Sequence, residues 1–258
     1  MTTIALYSNK GGVGKTAAAV NLSYLAAQQG HYTLICDLDP QSSATYYFRV
    51  KPKLRSRARG LTRPGKPIDK SIKGTDFENL DLLPADFTHR NLDITFDRLT
   101  KPKERLRQIL DPLKSDYDLI ILDSPPTINI LAENIFNAAD FVLVPIVPTT
   151  LSVRTYRQFL SFFRENGYDA GSVYGFLSMV DRRKKMHHQL SSLVREEFDH
   201  VFRNPIPYQS VVEQMGVQRQ PVVAFAPRTR AANAYRLLWA ELANTILIRS
   251  SRALPTTQ

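Results

Sequence analysis

The sequence predicts an α/β fold, a doubly wound and mostly parallel sheet flanked by helices, and three observations predict it. Short β-branched, nearly all-apolar runs alternate with longer amphipathic stretches, the pattern of a parallel sheet covered on both faces. The first run passes through a glycine-rich turn straight into a helical pattern. Two later runs end in aspartate at what becomes the carboxyl edge of the sheet, where ligands bind in such folds.

The elements follow in order. Residues 3–8 form the first expected strand and residues 15–29 the first helix, with Gly30 where a C-terminal cap belongs. Residues 33–37 make the second strand, ended by Pro40. Residues 49–78 lack a clear period and are rich in Lys, Arg, Pro and Gly, so they read as a long loop or insertion. Strands are then expected at 80–83, 119–123, 141–145 and 173–180. Helices are expected at 103–114, 130–139, 153–166 with Gly167 as cap, 188–198 and 230–249. The whole, 1–258, is expected to be one domain with a short polar tail from about residue 250.

Composition bounds the partners. The chain of 258 residues carries a formal charge of +10, which points to polyanions: nucleic acid or an anionic membrane surface. Residues 49–75 alone hold ten basic side chains (Arg49, Lys51, Lys53, Arg55, Arg57, Arg59, Arg63, Lys66, Lys70, Lys73) against the single acid Asp69, a local excess of +9. The lone cysteine, Cys36, falls inside the second strand, where it excludes an internal disulfide and reads as a buried strand residue. The sequence shows no secretory signal and no apolar run of about 18 residues, so a cytoplasmic protein is expected.

The chemistry starts at Asn9-Lys10-Gly11-Gly12-Val13-Gly14-Lys15-Thr16, followed at once by the helical run from Ala17. Glycines here let successive backbone N–H groups turn inward, and the following helix brings its positive end to the same place, so phosphate is the natural guest. The spacing sets Lys15 for the β- and γ-phosphates of a nucleotide and the Thr16 hydroxyl for the accompanying Mg²⁺. Asn9 stands where the general loop has its first glycine, and a second lysine, Lys10, precedes the glycine pair. Placed there, Lys10 points away from its own nucleotide and is best used on a phosphate across an interface.

Asp37-Leu38-Asp39-Pro40-Gln41 closes the second strand. A carboxylate at that edge can orient a water for attack on a γ-phosphate, and Asp39, nearer the loop, is the candidate. Asp118 to Asp123 is an apolar strand ending in an acid, as a Walker B element is, with Asp123 expected to hold Mg²⁺. A dinucleotide site is excluded because no G-x-G-x-x-G occurs at the first turn.

Together these residues resemble the ParA/MinD branch of P-loop ATPases, SIMIBI-like NTPases whose deviant Walker A motif reads Lys-Gly-Gly-x-x-Lys-Ser/Thr. Lys10 to Thr16 match it at every fixed position, Asp37 to Gln41 look like its Asp-x-Asp-Pro-Gln, and Asp123 to Pro126 like its Asp-x-Pro-Pro. Ile206 and Pro207 resemble the loop that brackets adenine. Ser42 and Ser43 stand where many members have Gly-Asn.

The resemblance implies an ATP-sandwich homodimer. In it Lys10 reaches the partner's nucleotide, the loop from Lys10 to Ala17 cradles phosphate, Thr16, Asp39 and Asp123 serve the Mg²⁺ site, and Asp39 positions the attacking water. It implies binding to nonspecific DNA at the nucleoid and slow hydrolysis stimulated by a ParB-like or adaptor protein. The cargo is a plasmid, a chromosome or a protein body such as a carboxysome. With the loop starting so near Met1, the N-terminal helix-turn-helix of larger members is expected to be absent.

The alternative is a MinD-like membrane-cycling regulator, disfavoured by the polar ending Leu254 to Gln258, which carries no basic amphipathic helix and no stable membrane anchor. An electron donor like nitrogenase reductase needs cysteine ligands that Cys36 alone does not provide. Basic candidates for DNA are Arg182, Arg183, Lys184, Lys185, Arg219, Arg228, Arg230, Arg236, Arg249 and Arg252. His187 and His188 are read as exposed polar residues and Trp239 as core.

Overall fold

The structure, a computed structural model, describes residues 1–51, 68–85, 92–98 and 101–252. One sheet organises them. Its strands are β1 (Thr2–Leu6), β2 (Thr33–Asp37), β3 (Lys73–Gly74), β4 (Leu80–Leu83), β5 (Leu119–Asp123), β6 (Phe141–Ile146), β7 (Val173–Leu177) and β8 (Val201–Phe202). Their spatial order is β3-β4-β2-β5-β1-β6-β7-β8. Every pairing is parallel except β3 with β4. This is the doubly wound α/β sheet that the alternation of apolar and amphipathic runs predicts.

Two cores form because successive strand residues point to opposite faces. Along β1, Ile4 and Leu6 enter one core while Ala5 and Tyr7 enter the other; along β5, Ile121 opposes Ile120 and Leu122. The first core is closed by α1 (Lys15–Gln28) and, at the carboxyl end of the chain, α11 (Arg230–Arg252). The second is closed by α3 (Leu92–Asp97), α4 (Arg105–Leu110), α5 (Ile130–Ala138), α6 (Thr150–Glu165) and Val194 of α7 (Lys185–Glu197). Cys36 is buried there and Trp239 in the first core, where its Nε1–H donates to Gln29 Oε1 at 2.8 Å.

The differences from expectation have local causes. α6 begins at residue 150, three residues before its first strongly buried apolar side chain, because Thr149 caps it by accepting from Ser152 N–H. The stretch 103–114 divides into α4 and a 3-10 turn over Asp111–Ser115, since Pro112 has no N–H to continue the helix. β7 stops at Leu177, short of residue 180: Ser178 turns its hydroxyl onto Val13 and Met179 takes a left-handed φ of 55°.

Within the expected loop at 49–78, residues 52–67 lie outside the described residues. Its far end is ordered: Ile68 is buried, Asp69–Ser71 forms a 3-10 turn, and β3 pairs antiparallel with β4. α11 runs on to Arg252, past its expected end at 249, and residues 253–258 of the expected polar tail lie outside the described residues. Four single-turn helices went unpredicted: α2 (Ser43–Tyr47), α8 (Ser210–Glu213), α9 (Met215–Gln218) and α10 (Val222–Phe225). So did α3 and the two-residue strands. Elements this short carry no period.

The second core has an aromatic centre. Phe136 on α5 lies 4.7 Å from the ring of Tyr7, 4.9 Å from Phe163 and 5.5 Å from Phe159, centroid to centroid. Tyr7 in turn donates its hydroxyl to Thr127 O at 3.0 Å, which ties the loop after β5 to this cluster. Phe136→Ala is therefore expected to cost about 3–5 kcal/mol in denaturant-induced unfolding, the range for emptying a buried aromatic site.

Candidate functional site

The glycine-rich loop leaves β1 at the carboxyl edge of the sheet and is pinned to β7. Ser178 Oγ donates to Val13 O at 2.8 Å. Gly14, the residue before α1, has φ 95°, and a Cβ there would meet Ser178 Oγ at 2.9 Å, so the turn requires glycine on both counts. Lys15 is 6% exposed, and its ammonium donates to Lys10 O at 3.0 Å, closing the loop on itself. Burial draws the Lys15 pKa below its ordinary value, and the nearby Asp123 and Asp39 resist that shift. The Lys10 backbone N–H donates to Ser8 Oγ at 3.2 Å, while its half-buried side chain makes no hydrogen bond or ion pair among the described residues.

Above the loop opens a cleft of about 480 Å³, a size suited to a nucleotide. Gly11 to Ala17 form its floor. Asp39, Ser43 and Tyr47 line one wall, and residues 206–209 with Val212 and Glu213 line the other. The second wall is an extension of the sheet: Ile206 N–H donates to Leu177 O at 2.8 Å, Val180 N–H to Ile206 O at 2.9 Å, and Val180 bridges Pro207 in parallel. Ile206 is 2% exposed and belongs to the first core as well as the cleft. Sequence reasoning named Ile206 and Pro207 but not Ser178, Met179, Tyr47 or Tyr235, which reach the cleft from separate elements.

The three aspartates differ. Asp37 and Asp123 face each other in the β2–β5 register and both are fully buried. Asp37 is satisfied: its Oδ2 accepts from Thr45 N–H at 2.8 Å and from Thr45 Oγ1 at 2.7 Å, and Asp39 N–H reaches its Oδ1 at 3.3 Å. Thr45 Oγ1 also accepts from Ala85 N–H at 3.0 Å, so Asp37 suspends α2 from the sheet. Burial lifts its pKa to about 6. Neither carboxylate oxygen of Asp123 has a hydrogen-bond partner. Burial, then the charge of Asp37, raises its pKa well above the usual carboxylate range, with Thr16 and Lys15 opposing. Asp39 is half-buried at the rim and accepts from Gln41 N–H at 2.9 Å.

An orphaned, buried carboxylate beside a threonine hydroxyl and under a phosphate cradle fits a Mg²⁺ site. Among the described residues no group of three or more His, Cys, Asp or Glu could hold a metal by itself. Mg²⁺ keeps waters and shares its shell between one or two carboxylates and substrate phosphates.

The basic candidates separate into free and engaged. Arg182, Arg228 and Arg230 line one cleft of about 280 Å³ with Asn204 and Asn233, and Pro207 lines both this cleft and the larger one. Arg183 is paired with Asp181 through two hydrogen bonds of 3.0 and 2.9 Å, and Arg236 donates to Pro227 O at 2.8 Å. Arg219 stacks on Tyr46. Lys184 and Lys185 stand at the start of α7, and the side chains of Arg249 and Arg252 lie outside the described residues. His187 overturns the expectation of an exposed residue: it is 4% exposed and its Nδ1 accepts from Asp181 N–H at 3.1 Å, holding the turn that presents Arg182.

Residues 1–167 match the model of a family described as an AAA domain. The chain is 30% identical over 246 residues to the sporulation initiation inhibitor protein Soj of Bacillus subtilis, covering 93% of this chain and 97% of Soj. It is 27% identical over 264 residues to the chromosome partitioning protein ParA of Caulobacter vibrioides, covering 98% of each. Among solved structures, a cobyrinic acid a,c-diamide synthase from Mycobacterium smegmatis with bound ADP and magnesium superposes with a TM-score of 0.79. It is 25% identical, across 100% of both chains. A Cyanothece McdA–ATP complex superposes with a TM-score of 0.79 at 20% identity, over 94% of this chain and 96% of that one, which shows a shared fold.

The buried acids set a pH dependence. An acid whose folded pKa lies above its unfolded value holds more protons when folded, so it lowers stability as pH rises between the two. For Asp37 that window runs from 3.8 to about 6, and Asp123, raised well above its ordinary value, acts in the same direction. Thermal melts in a chelator are expected to show stability falling with pH across this window. Asp123→Asn is expected to flatten the fall and raise the Tm at pH 7, at the expense of Mg²⁺-supported ATP hydrolysis.

Proposed function

Because the chain belongs to the ParA/MinD family of P-loop ATPases, we propose that it is a ParA-type positioning ATPase acting as a single P-loop domain. In this reading two copies close around two ATP molecules, the ATP dimer binds nonspecific DNA, and hydrolysis dissolves it. Hydrolysis is slow and Mg²⁺-dependent, and a ParB-like or adaptor protein on the cargo stimulates it. The cargo is a plasmid, a chromosome or a protein body. The protein works in the cytoplasm at the nucleoid. Among the described residues no helix is long and apolar enough to cross a membrane.

The residues divide the work. Backbone N–H groups from Gly11 to Thr16 receive phosphate, with Lys15 as the counter-charge from below. Thr16 and Asp123, with Asp39 at the rim, would hold Mg²⁺, which when bound neutralises charge on the β- and γ-oxygens. Asp39 is close enough to the cleft to orient a water. The side chain of Lys10 has no partner among the described residues, which leaves it available to the other copy's nucleotide.

The observation that carries the DNA assignment is the position of Pro207. It lines both the nucleotide cleft and the cleft where Arg182, Arg228 and Arg230 converge. A change of nucleotide state that moves residues 205–208 thus reaches the basic cleft within one short segment. Three arginines on one concave surface are suited to a phosphate track.

Binding to random-sequence DNA, compared with ATP, with ADP and without nucleotide over a salt series, tests this. Binding is expected with ATP only, weakening steeply as salt rises. The double variant Arg228→Ala/Arg230→Ala is expected to lower the salt slope by about one unit for each arginine that meets a phosphate. Equal binding in all three nucleotide states overturns the switch, and an unchanged slope overturns the track. Asp39→Ala is expected to slow hydrolysis by about 100-fold or more and to prolong residence on DNA; wild-type turnover in that variant removes Asp39 from its role.

A further inference from the structure

Arg49 and Arg219 occupy matching places just behind opposite walls of the nucleotide cleft. Arg49 follows α2, whose Ser43 and Tyr47 line one wall; Arg219 ends α9, which continues the wall formed by Val212 and Glu213. Both take left-handed backbone conformations, φ 59° at Arg49 and 52° at Arg219. Such conformations cost a non-glycine residue free energy and persist where the surroundings over-determine them.

What over-determines them is a reciprocal exchange. Arg49 Nη2 donates to Gln218 O at 2.9 Å, and Arg219 Nε donates to Tyr46 O at 3.0 Å. Each guanidinium thus reaches a carbonyl at the carboxyl end of the other short helix, and Tyr46 O also accepts from Arg49 N–H at 3.1 Å, so both arginines meet at that carbonyl. The Arg219 guanidinium also lies 4.5 Å over the Tyr46 ring, and Arg49 is braced by Asp76 at 3.7 Å.

The base of the α9 wall is anchored separately. Met215 is fully buried, and Asn21 of α1 donates to its sulfur at 3.4 Å while accepting from Val223 N–H at 3.2 Å. The arginine pair joins the carboxyl ends of α2 and α9, whose inner sides meet the first core through Ala44 and Met215.

We infer that Arg49 and Arg219 form a clasp that holds the two walls of the nucleotide cleft together and sets how fast nucleotide leaves it. The inference rests on the nucleotide-binding reading of that cleft.

Hydrogen–deuterium exchange of the nucleotide-free protein tests the clasp independently of ligand. Arg49→Ala is expected to speed exchange in 215–219, and Arg219→Ala to speed it in 43–48, each across the cleft from the change. Dissociation of a fluorescent ATP analogue, measured by stopped flow, is expected to accelerate roughly three- to ten-fold in either variant, the range for losing one such hydrogen bond. The double variant is expected to fall short of the product of the two, because both arginines close one contact. Arg219→Lys, which keeps the charge and loses the flat Nε donor, is expected to behave like Arg219→Ala. Exchange changes confined to the mutated helix, or wild-type dissociation rates, overturn the clasp. Wild-type protein that binds no nucleotide overturns the cleft's reading and the clasp's part in release, while the exchange result still decides whether the walls are joined.

Discussion

Asp123 ends β5 with no exposure to solvent and no hydrogen-bond partner for either carboxylate oxygen. Parallel register sets a second buried acid, Asp37, directly across from it. Burial strips both carboxylates of hydration and raises both pKa values, the charge of Asp37 adds to the rise at Asp123, and the arrangement costs folding free energy. A cation relieves that cost, and the buried Lys15 opposes the rise at Asp123. The rest of the site is built around this unresolved charge: a loop of N–H groups for an anion, a hydroxyl from Thr16, and room above for phosphate and metal together.

The same acids connect the site to its surroundings. Asp37 hangs α2 from the sheet through Thr45, and α2 forms one wall of the cleft. Ser42, just before α2, takes a left-handed φ of 56°, and its hydroxyl donates to Ala85 O at 3.2 Å. Serine here occupies a conformation that glycine adopts freely, so the departure from Gly-Asn noted in the sequence is accommodated at some cost in strain. On the other wall, the segment from Asn204 to Tyr208 is hydrogen-bonded to the end of β7, and β7 holds the phosphate loop through Ser178. Loop, walls and basic cleft are therefore joined by a few short links.

How much of this was legible follows from which interactions leave a pattern. The strands at 33–37, 80–83 and 119–123 were read to the residue: 33–37 and 119–123 are buried at every position, and in 80–83 only the half-buried Asp81 interrupts the apolar run. The loop from Lys10 to Thr16 and the acids at 37, 39 and 123 were legible because phosphate chemistry demands fixed residue types at fixed spacing. Single-turn helices and two-residue strands leave no period. Charge in the sequence also conceals its partners: Arg183, Arg219 and Arg236 look free as letters but are engaged by Asp181, Tyr46 and Pro227. His187, read as exposed from its neighbour His188, is buried because its acceptor nitrogen fixes the 181–184 turn. Those are tertiary contacts, and no local motif announces them.

In the proposed dimer one loop uses its two lysines in opposite directions, Lys15 inward on its own nucleotide and Lys10 outward on another copy's. Molar mass by light scattering, with Mg²⁺ and a slowly hydrolysed ATP analogue, with ADP, and with Lys10→Ala in the analogue, tests it most directly. The wild type is expected to show a doubled mass with the analogue alone, and a single-chain mass in the other two cases. One mass in all three conditions, or a doubled mass that survives Lys10→Ala, would contradict it.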